Sequence, residues 1–314
     1  RKFDTIFVFM ISPITAVLPA ILQRRLKRAK LFVWILDLWP ETLKAVGVVK
    51  SPRVLSLVGK LVSYIYRRTD HILIQSHAFS ENVRTYAGTE ATVSYFPGWA
   101  EPIFQKTVEG QPKAPEIARF SDTFNVVFAG NVGEAQDFPA ILDAAEALQK
   151  KTRARILVIG DGRLTTFVEN EIDRRGLSDR VILLGRFPLE RMPSFFQAAD
   201  ALLVSLKRDQ VFAMTIPGKV QSYLAAGVPL LGMLDGEGGR VIAEAGAGLV
   251  SPSGEGAALA RNIEALVSMT PVDRAAMGSR ARAYGLAEFD RTRLLDGLEA
   301  KMQDALRPKP ITRG

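Results

Sequence analysis

The sequence predicts an α/β protein with two doubly wound lobes, each built on a parallel sheet, and three observations carry that expectation. Short unbroken runs of Val, Ile, Leu and Phe recur along the chain. Most of them end in Gly, Asp or Ser, and amphipathic helical patterns lie between them. Strands buried on both faces read as continuous apolar runs, and parallel neighbours need helical crossovers. A polar, Pro-rich stretch over residues 101–121 interrupts this rhythm before a fresh strand begins, as an interdomain linker does. With 314 residues, the chain can give each lobe its own core.

The first lobe offers strands at 6–10, 31–36 and 71–75. The second offers strands at 125–129, 155–159, 181–184, 201–204 and 229–232, with helices at 139–150, 164–175, 189–198 and 219–226. Residues 5–22 are nearly all apolar, but Pro13 and Pro19 interrupt them and Ser12 and Thr15 dilute them. A membrane span needs about 17–25 apolar residues, so a buried strand over 5–11 running into a helix over 16–27 fits better. The chain starts at Arg1 and enters that strand at once, which reads as a first lobe whose opening segment lies upstream. The expected domains are 1–115 and 116–285, followed by a helix over 286–306 that packs back toward the first lobe. A disordered Arg-Pro-Lys-Pro end is expected after it.

The formal net charge of +8 is unevenly placed: residues 1–113 hold 16 Lys and Arg against 8 Asp and Glu, and residues 114–314 hold 25 of each. The excess gathers at Arg24, Arg25, Lys27, Arg28 and Lys30, and again at Arg67 and Arg68. Such a patch suits anionic lipid headgroups or pyrophosphate-linked lipids, or else is a solvated helix end. Nucleic acid fits poorly, because no aromatic residues interleave the cations and no reading motif is present. Cysteine is absent and His71 and His77 are the two histidines, which excludes disulfides and thiolate or histidine-built metal cages. No metal is expected, and a reducing compartment is the default.

In a doubly wound sheet, ligands bind where loops gather beyond the carboxyl ends of the strands. After residue 129 come Gly130 and Gly133, two glycines that let a ligand approach the backbone before a helix begins. The next strand ends in Gly160-Asp161-Gly162, the third in Gly185-Arg186-Phe187 and the fourth in Ser205-Leu206-Lys207. Pro217-Gly218-Lys219 then places a lysine at a helix start, which the macrodipole disfavours unless an anion is also present. A plain turn explains any one of these loops; a diphosphate-bearing ligand satisfies all of them.

The order Phe-Ala-Gly-Asn (128–131), Ile-Gly-Asp-Gly (159–162), Leu-Gly-Arg-Phe-Pro (184–188) and Pro-Gly-Lys…Tyr-Leu-Ala-Ala-Gly-Val-Pro (217–229) resembles the C-terminal lobe of the group 1, glycogen-synthase-like glycosyltransferases. Those enzymes have the GT-B architecture, two Rossmann-like lobes facing a cleft, and the resemblance covers essentially the whole chain. Asp37-Leu38-Trp39-Pro40-Glu41 and Phe96-Pro97-Gly98-Trp99-Ala100-Glu101 resemble a bacterial subgroup that builds surface polysaccharide, including N-acetyl-L-fucosamine transferases.

The resemblance implies that Gly130, Asn131, Gly133, Gln136 and Gly162 lie at the donor diphosphate. It implies that Gly185, Arg186 and Phe187 hold the nucleobase, that Lys207 and Lys219 pair with phosphates beside Pro217, and that Ser222 and Tyr223 lie near the ribose. The broader family usually has Arg and Lys where Asn131 and Gln136 stand, and two glutamates at the positions of Met214 and Ser222. The bacterial subgroup shows the same replacements, and Glu237 is the carboxylate expected to serve the ribose instead.

Transfer also needs a base for the acceptor hydroxyl and stabilisation of the leaving diphosphate. Asp37, Glu41 and Glu237 are the expected catalytic carboxylates, although a helix cap and a first-turn dipole partner explain Asp37 and Glu41 equally. The expected activity is sugar transfer from a nucleotide-sugar, with UDP the expected nucleotide and no cofactor. The acceptor would be a lipid-diphosphate-linked saccharide at an anionic membrane surface on the cytoplasmic side. A nucleotide-sugar 2-epimerase of the same architecture and a degenerate nucleotide-binding or scaffold subunit are the alternatives.

Overall fold

The computed structural model describes residues 2–105, 112–149 and 152–307; the tail beyond Arg307, read above as disordered, lies outside the described residues. The chain forms two compact units. One comprises residues 1–98 with 291–314, the other residues 99–290. The segment read as a linker is therefore counted with the second unit from Trp99 onward.

The first unit begins β1 (Thr5–Met10), α1 (Leu18–Lys27), β2 (Lys30–Ile35), α2 (Glu41–Ala45) and α3 (Pro52–Tyr66). It continues with β3 (His71–Ile74), α4 (Phe79–Ala87) and β4 (Val93–Tyr95). The four strands lie in the order β1-β2-β3-β4, all parallel, with Phe9 opposite Trp34 and Ile35 opposite Ile74. Five of the six residues of β2 are buried, as its unbroken apolar run requires.

Asp70 closes the turn into β3. Its carboxylate accepts two bonds from Arg24 and one from the Leu31 amide at 2.9 Å, with Lys30 at 3.8 Å. Burial raises its pKa, but those donors outweigh burial and hold it below the ordinary carboxylate value. The basic run is thereby divided, since Arg24 and Lys30 are committed to Asp70 while Arg25, Lys27 and Arg28 are exposed. His71 is structural, stacked on Phe32 and paired through Nε2 with the Ser94 hydroxyl at 2.8 Å.

The second unit opens with α5 (Pro102–Gln105), α6 (Pro115–Ala118), β5 (Phe124–Ala129), α7 (Phe138–Ala147), β6 (Ala154–Ile159) and α8 (Thr165–Arg175). Next come β7 (Val181–Gly185), α9 (Met192–Ala198), β8 (Ala201–Ser205), α10 (Gln210–Met214) and α11 (Gly218–Ala226). It closes with β9 (Leu230–Met233), α12 (Glu237–Glu244), β10 (Gly248–Ser251), α13 (Gly256–Ser268) and α14 (Pro271–Glu288). The all-parallel sheet has the order β10-β9-β8-β5-β6-β7 and is buried between apolar clusters on its two faces.

The predicted helix over 286–306 is two elements. The chain leaves helical geometry at Phe289, a buried side chain, and α15 (Arg291–Leu306) returns to the first unit. Among the described residues no helix is long and apolar enough to cross a membrane.

Candidate functional site

The strand order of the second sheet fixes where a crevice opens. From β5 the chain winds outward through β6 and β7, then crosses back past β5 to β8 and winds outward the other way. The loops after β5 and β8 therefore diverge, and the sheet leaves room for a ligand between them.

Pairing between β5 and β8 ends at Val127 and Leu202. Beyond it the Tyr223 hydroxyl replaces the missing ladder, accepting from the Ala129 amide at 3.0 Å and donating to the Ala129 carbonyl at 3.1 Å. Tyr223 is buried, and burial raises its pKa, so the hydroxyl stays protonated. It therefore fixes the end of β5.

Two glycine loops interlock next to that point. Gly130 has φ +144° and donates to the Ile159 carbonyl at 2.8 Å. Gly160 has φ +130°, and a Cβ there would overlap the Gly130 carbonyl oxygen. The Val132 amide donates to the Asp161 carbonyl at 2.8 Å and the Leu164 amide to the Val132 carbonyl at 3.0 Å. Gly133 and Gly162 make space for the amide of Asn131, since a Cβ on either would collide with it. Behind Asn131, the Gln136 Oε1 atom is buried without a hydrogen-bond partner.

Lys219 lies in the first turn of α11, after the extended N-cap Pro217. The residue is partly exposed, but its Nζ atom is buried, bonded to nothing among the described residues, and 3.6 Å from the centre of the Phe128 ring. The side chain lies against Gly130, where an added Cβ would stand 2.5 Å from Lys219 Cε. Burial lowers its pKa to about 7. An ammonium here opposes the helix dipole and has lost its hydration, so an incoming anion is favoured on both counts.

These elements enclose a pocket of about 630 Å³. It brings together Gly130, Asn131, Arg186, Phe187, Lys219, Ser222 and Tyr223 from the sequence-predicted set. The others stand outside its wall. Gly133, Gln136 and Gly162 support Asn131, and Gly185, at φ +79°, accepts from the Gly160 amide at 2.8 Å. The Lys207 amide donates to the Ala135 carbonyl at 2.9 Å, and Pro217 caps α11. Glu237 is ion-paired with Arg240 at 2.9 Å.

Sequence reasoning did not single out Glu101, Phe104, Asp161, Leu189 or Met192, which also line the pocket. Glu101 and Phe104 fall in the segment read as linker, which hid them. The signal available was Phe104 itself, an aromatic residue in a polar stretch, now buried and stacked on Phe196 at 5.2 Å between ring centres.

Asp37 and Glu41 belong to the first unit, beyond β2. Asp37 accepts from the Thr42 hydroxyl at 2.6 Å. Glu41 accepts from the Tyr86 hydroxyl at 2.7 Å, and its second carboxylate oxygen is buried without a partner. Burial and the adjoining Glu41 raise the Tyr86 pKa, so this hydroxyl remains a donor. Nearby, Tyr66 is fully buried with an unpartnered hydroxyl.

Comparison with known proteins follows this division. Residues 123–269 match the family model described as glycosyl transferases group 1. Over 141 residues the chain is 26% identical to the putative colanic acid biosynthesis glycosyl transferase WcaI of Escherichia coli (strain K12). That match covers 43% of this chain and 33% of WcaI, so it spans about a third of the relative's length. Among solved structures, Anabaena HepE in complex with UDP superposes with a TM-score of 0.76 at 16% identity, covering 96% of this chain and 79% of HepE. Sucrose-phosphate synthase from Thermosynechococcus elongatus gives 0.73 at 16% identity, with 96% and 74% covered. The match to the group 1 glycosyltransferase model thus lies within the second unit, and the chain as a whole shares the two-sheet α/β fold of the GT-B structures.

Proposed function

We propose that this chain transfers a sugar, an N-acetylated or deoxy amino sugar, from a nucleoside-diphosphate donor to a lipid-linked saccharide in bacterial surface-polysaccharide synthesis. The observation that carries the reading is the buried, unpartnered Lys219 Nζ beside Gly130, in a pocket whose far wall is apolar at Phe187, Leu189 and Met192. A diphosphate neutralises the ammonium and a nucleobase covers the apolar wall. Departure of the nucleoside diphosphate is then assisted by Lys219 and backbone amides, with no metal or cofactor. The similarity to WcaI and the UDP bound to HepE support the polysaccharide context and UDP as the donor nucleotide.

For the acceptor, Asp37 and Glu41 are the candidate proton-accepting carboxylates. Glu41 differs from Asp37 in that Tyr86 orients one of its oxygens while the other is buried without a partner. The exposed Arg25, Lys27 and Arg28 suit an anionic membrane surface, which would hold the protein at the inner face of the cell membrane.

The test is to incubate the full chain with UDP-, GDP- and dTDP-sugars and polyprenyl-diphosphate-linked saccharides, then follow labelled sugar into the lipid fraction. Transfer from one donor is the expected result. An isomerised nucleotide-sugar without transfer would favour the epimerase, and binding without turnover the degenerate subunit.

A further inference from the structure

Resting on the nucleotide reading of this pocket, we infer that Glu101 grips the ribose of the donor by accepting hydrogen bonds from its 2′,3′-diol. A nucleoside diphosphate has three parts: a flat base, a ring with two vicinal hydroxyls, and a dianionic or trianionic tail. The pocket matches the first with Phe187, Leu189 and Met192, and the last with Lys219 and the glycine loops. The diol must also find acceptors once it leaves water, and an ionised carboxylate accepts from both hydroxyls at once.

Two carboxylates line the pocket, Asp161 and Glu101. Asp161 sits in the β6 loop, where its carbonyl accepts from Val132, so it belongs to the glycine-loop end. Glu101 comes from a different segment, at the start of α5, which a ladder of rings holds in place. Phe104 stacks on Phe196 at 5.2 Å, and Phe196 meets Tyr223 edge-on at 5.2 Å. That ladder clamps α5 beside α11, so Glu101, just before α5, lines the same pocket as Ser222 of α11.

Availability separates Glu101 from the carboxylate the sequence suggested for this task. Glu237 is held by Arg240 through bonds of 2.9 and 3.1 Å and does not line the pocket. The Glu101 side chain is exposed and makes no hydrogen bond or ion pair among the described residues. Ser222, a neutral hydroxyl on the adjoining helix face, leaves Glu101 as the acceptor with charge on that wall.

The experiment is calorimetric titration of the full chain and of Glu101→Ala with UDP, GDP and their 2′,3′-dideoxy analogues. The unmodified chain should favour the ribonucleotide about tenfold or more, as expected for a hydroxyl bonded to a charged acceptor. Glu101→Ala should lose that preference, binding the ribonucleotide about as weakly as the dideoxy form while binding the dideoxy form unchanged. Its melting temperature should match the parent's, because the side chain is exposed. An intact preference in Glu101→Ala, or equal losses for both ligands, overturns the assignment and leaves the nucleotide reading standing. Failure of the unmodified chain to bind either diphosphate overturns that reading and the assignment together.

Discussion

The Nζ of Lys219 stands 3.6 Å from the centre of the Phe128 ring, and no hydrogen-bond acceptor reaches it among the described residues. Phe128 is the penultimate residue of β5 and Lys219 lies in the first turn of α11, so the contact joins the strand end to the helix start. The ring face offsets part of the lost hydration, as cation–π contact does, while burial lowers the pKa to about 7.

That balance gives opposite signs for stability and binding. Because the folded pKa of about 7 lies below the ordinary 10.5, the unfolded chain binds the extra proton between those values. The Lys219 contribution to stability therefore rises with pH across that window. Lys219→Met should stabilise the ligand-free chain at pH 7 by on the order of 2–4 kcal/mol, read by urea denaturation, and abolish nucleotide binding. Binding of a diphosphate should take up a proton, so affinity should fall above pH 7, by at most about tenfold per unit. Calorimetry in buffers of different ionisation enthalpy measures that proton directly.

The interlocked glycines predict an order of damage. Gly160→Ala would drive a Cβ into the Gly130 carbonyl at a positive φ, and rigid backbone cannot yield. It should cost about 2–4 kcal/mol in denaturant titrations. Gly130→Ala meets the flexible end of Lys219, so it should cost less, about 1–2 kcal/mol, yet displace the ammonium and weaken nucleotide binding. Equal stability losses would contradict the interlock.

Tyr223→Phe should destabilise the chain by about 1–3 kcal/mol, because it strips a buried amide and carbonyl of their partner. Nucleotide affinity should drop with it, since Ala129 precedes Gly130. A variant as stable as the parent would instead return Tyr223 to direct ligand contact.

Glu41→Gln and Asp37→Asn separate chemistry from binding. If either carboxylate takes the acceptor proton, its amide variant should lose about 100-fold or more in kcat while the nucleotide Kd stays unchanged. Loss of stability with unaltered kcat would assign the pair to the structural cluster of Thr42, Tyr66 and Tyr86.

The legible part of this fold was the part written in long apolar runs. The strands expected at 6–10 and 125–129 appear as Thr5–Met10 and Phe124–Ala129; the second is buried and so apolar throughout, whereas β1, read as a buried strand, is an edge strand that leaves Phe7 and Phe9 exposed. Two strands escaped notice: Val93–Tyr95 has three residues, and Gly248–Ser251 starts with glycine and lies at the sheet edge. The glycine loops were legible because close backbone approach demands glycine at Gly130 and Gly160. What stayed hidden depends on tertiary contact. The bonds from the Tyr223 hydroxyl to Ala129 could not be read from the sequence, and Glu101 looked like linker until Phe104 was found in the core.

The most direct test of the pocket is titration of the full chain with UDP and GDP alongside uridine and guanosine. One diphosphate should bind at least about tenfold tighter than its own nucleoside, and Lys219→Ala should remove this advantage. Equal affinity for nucleoside and diphosphate, or an advantage that survives Lys219→Ala, would contradict the diphosphate reading of the pocket.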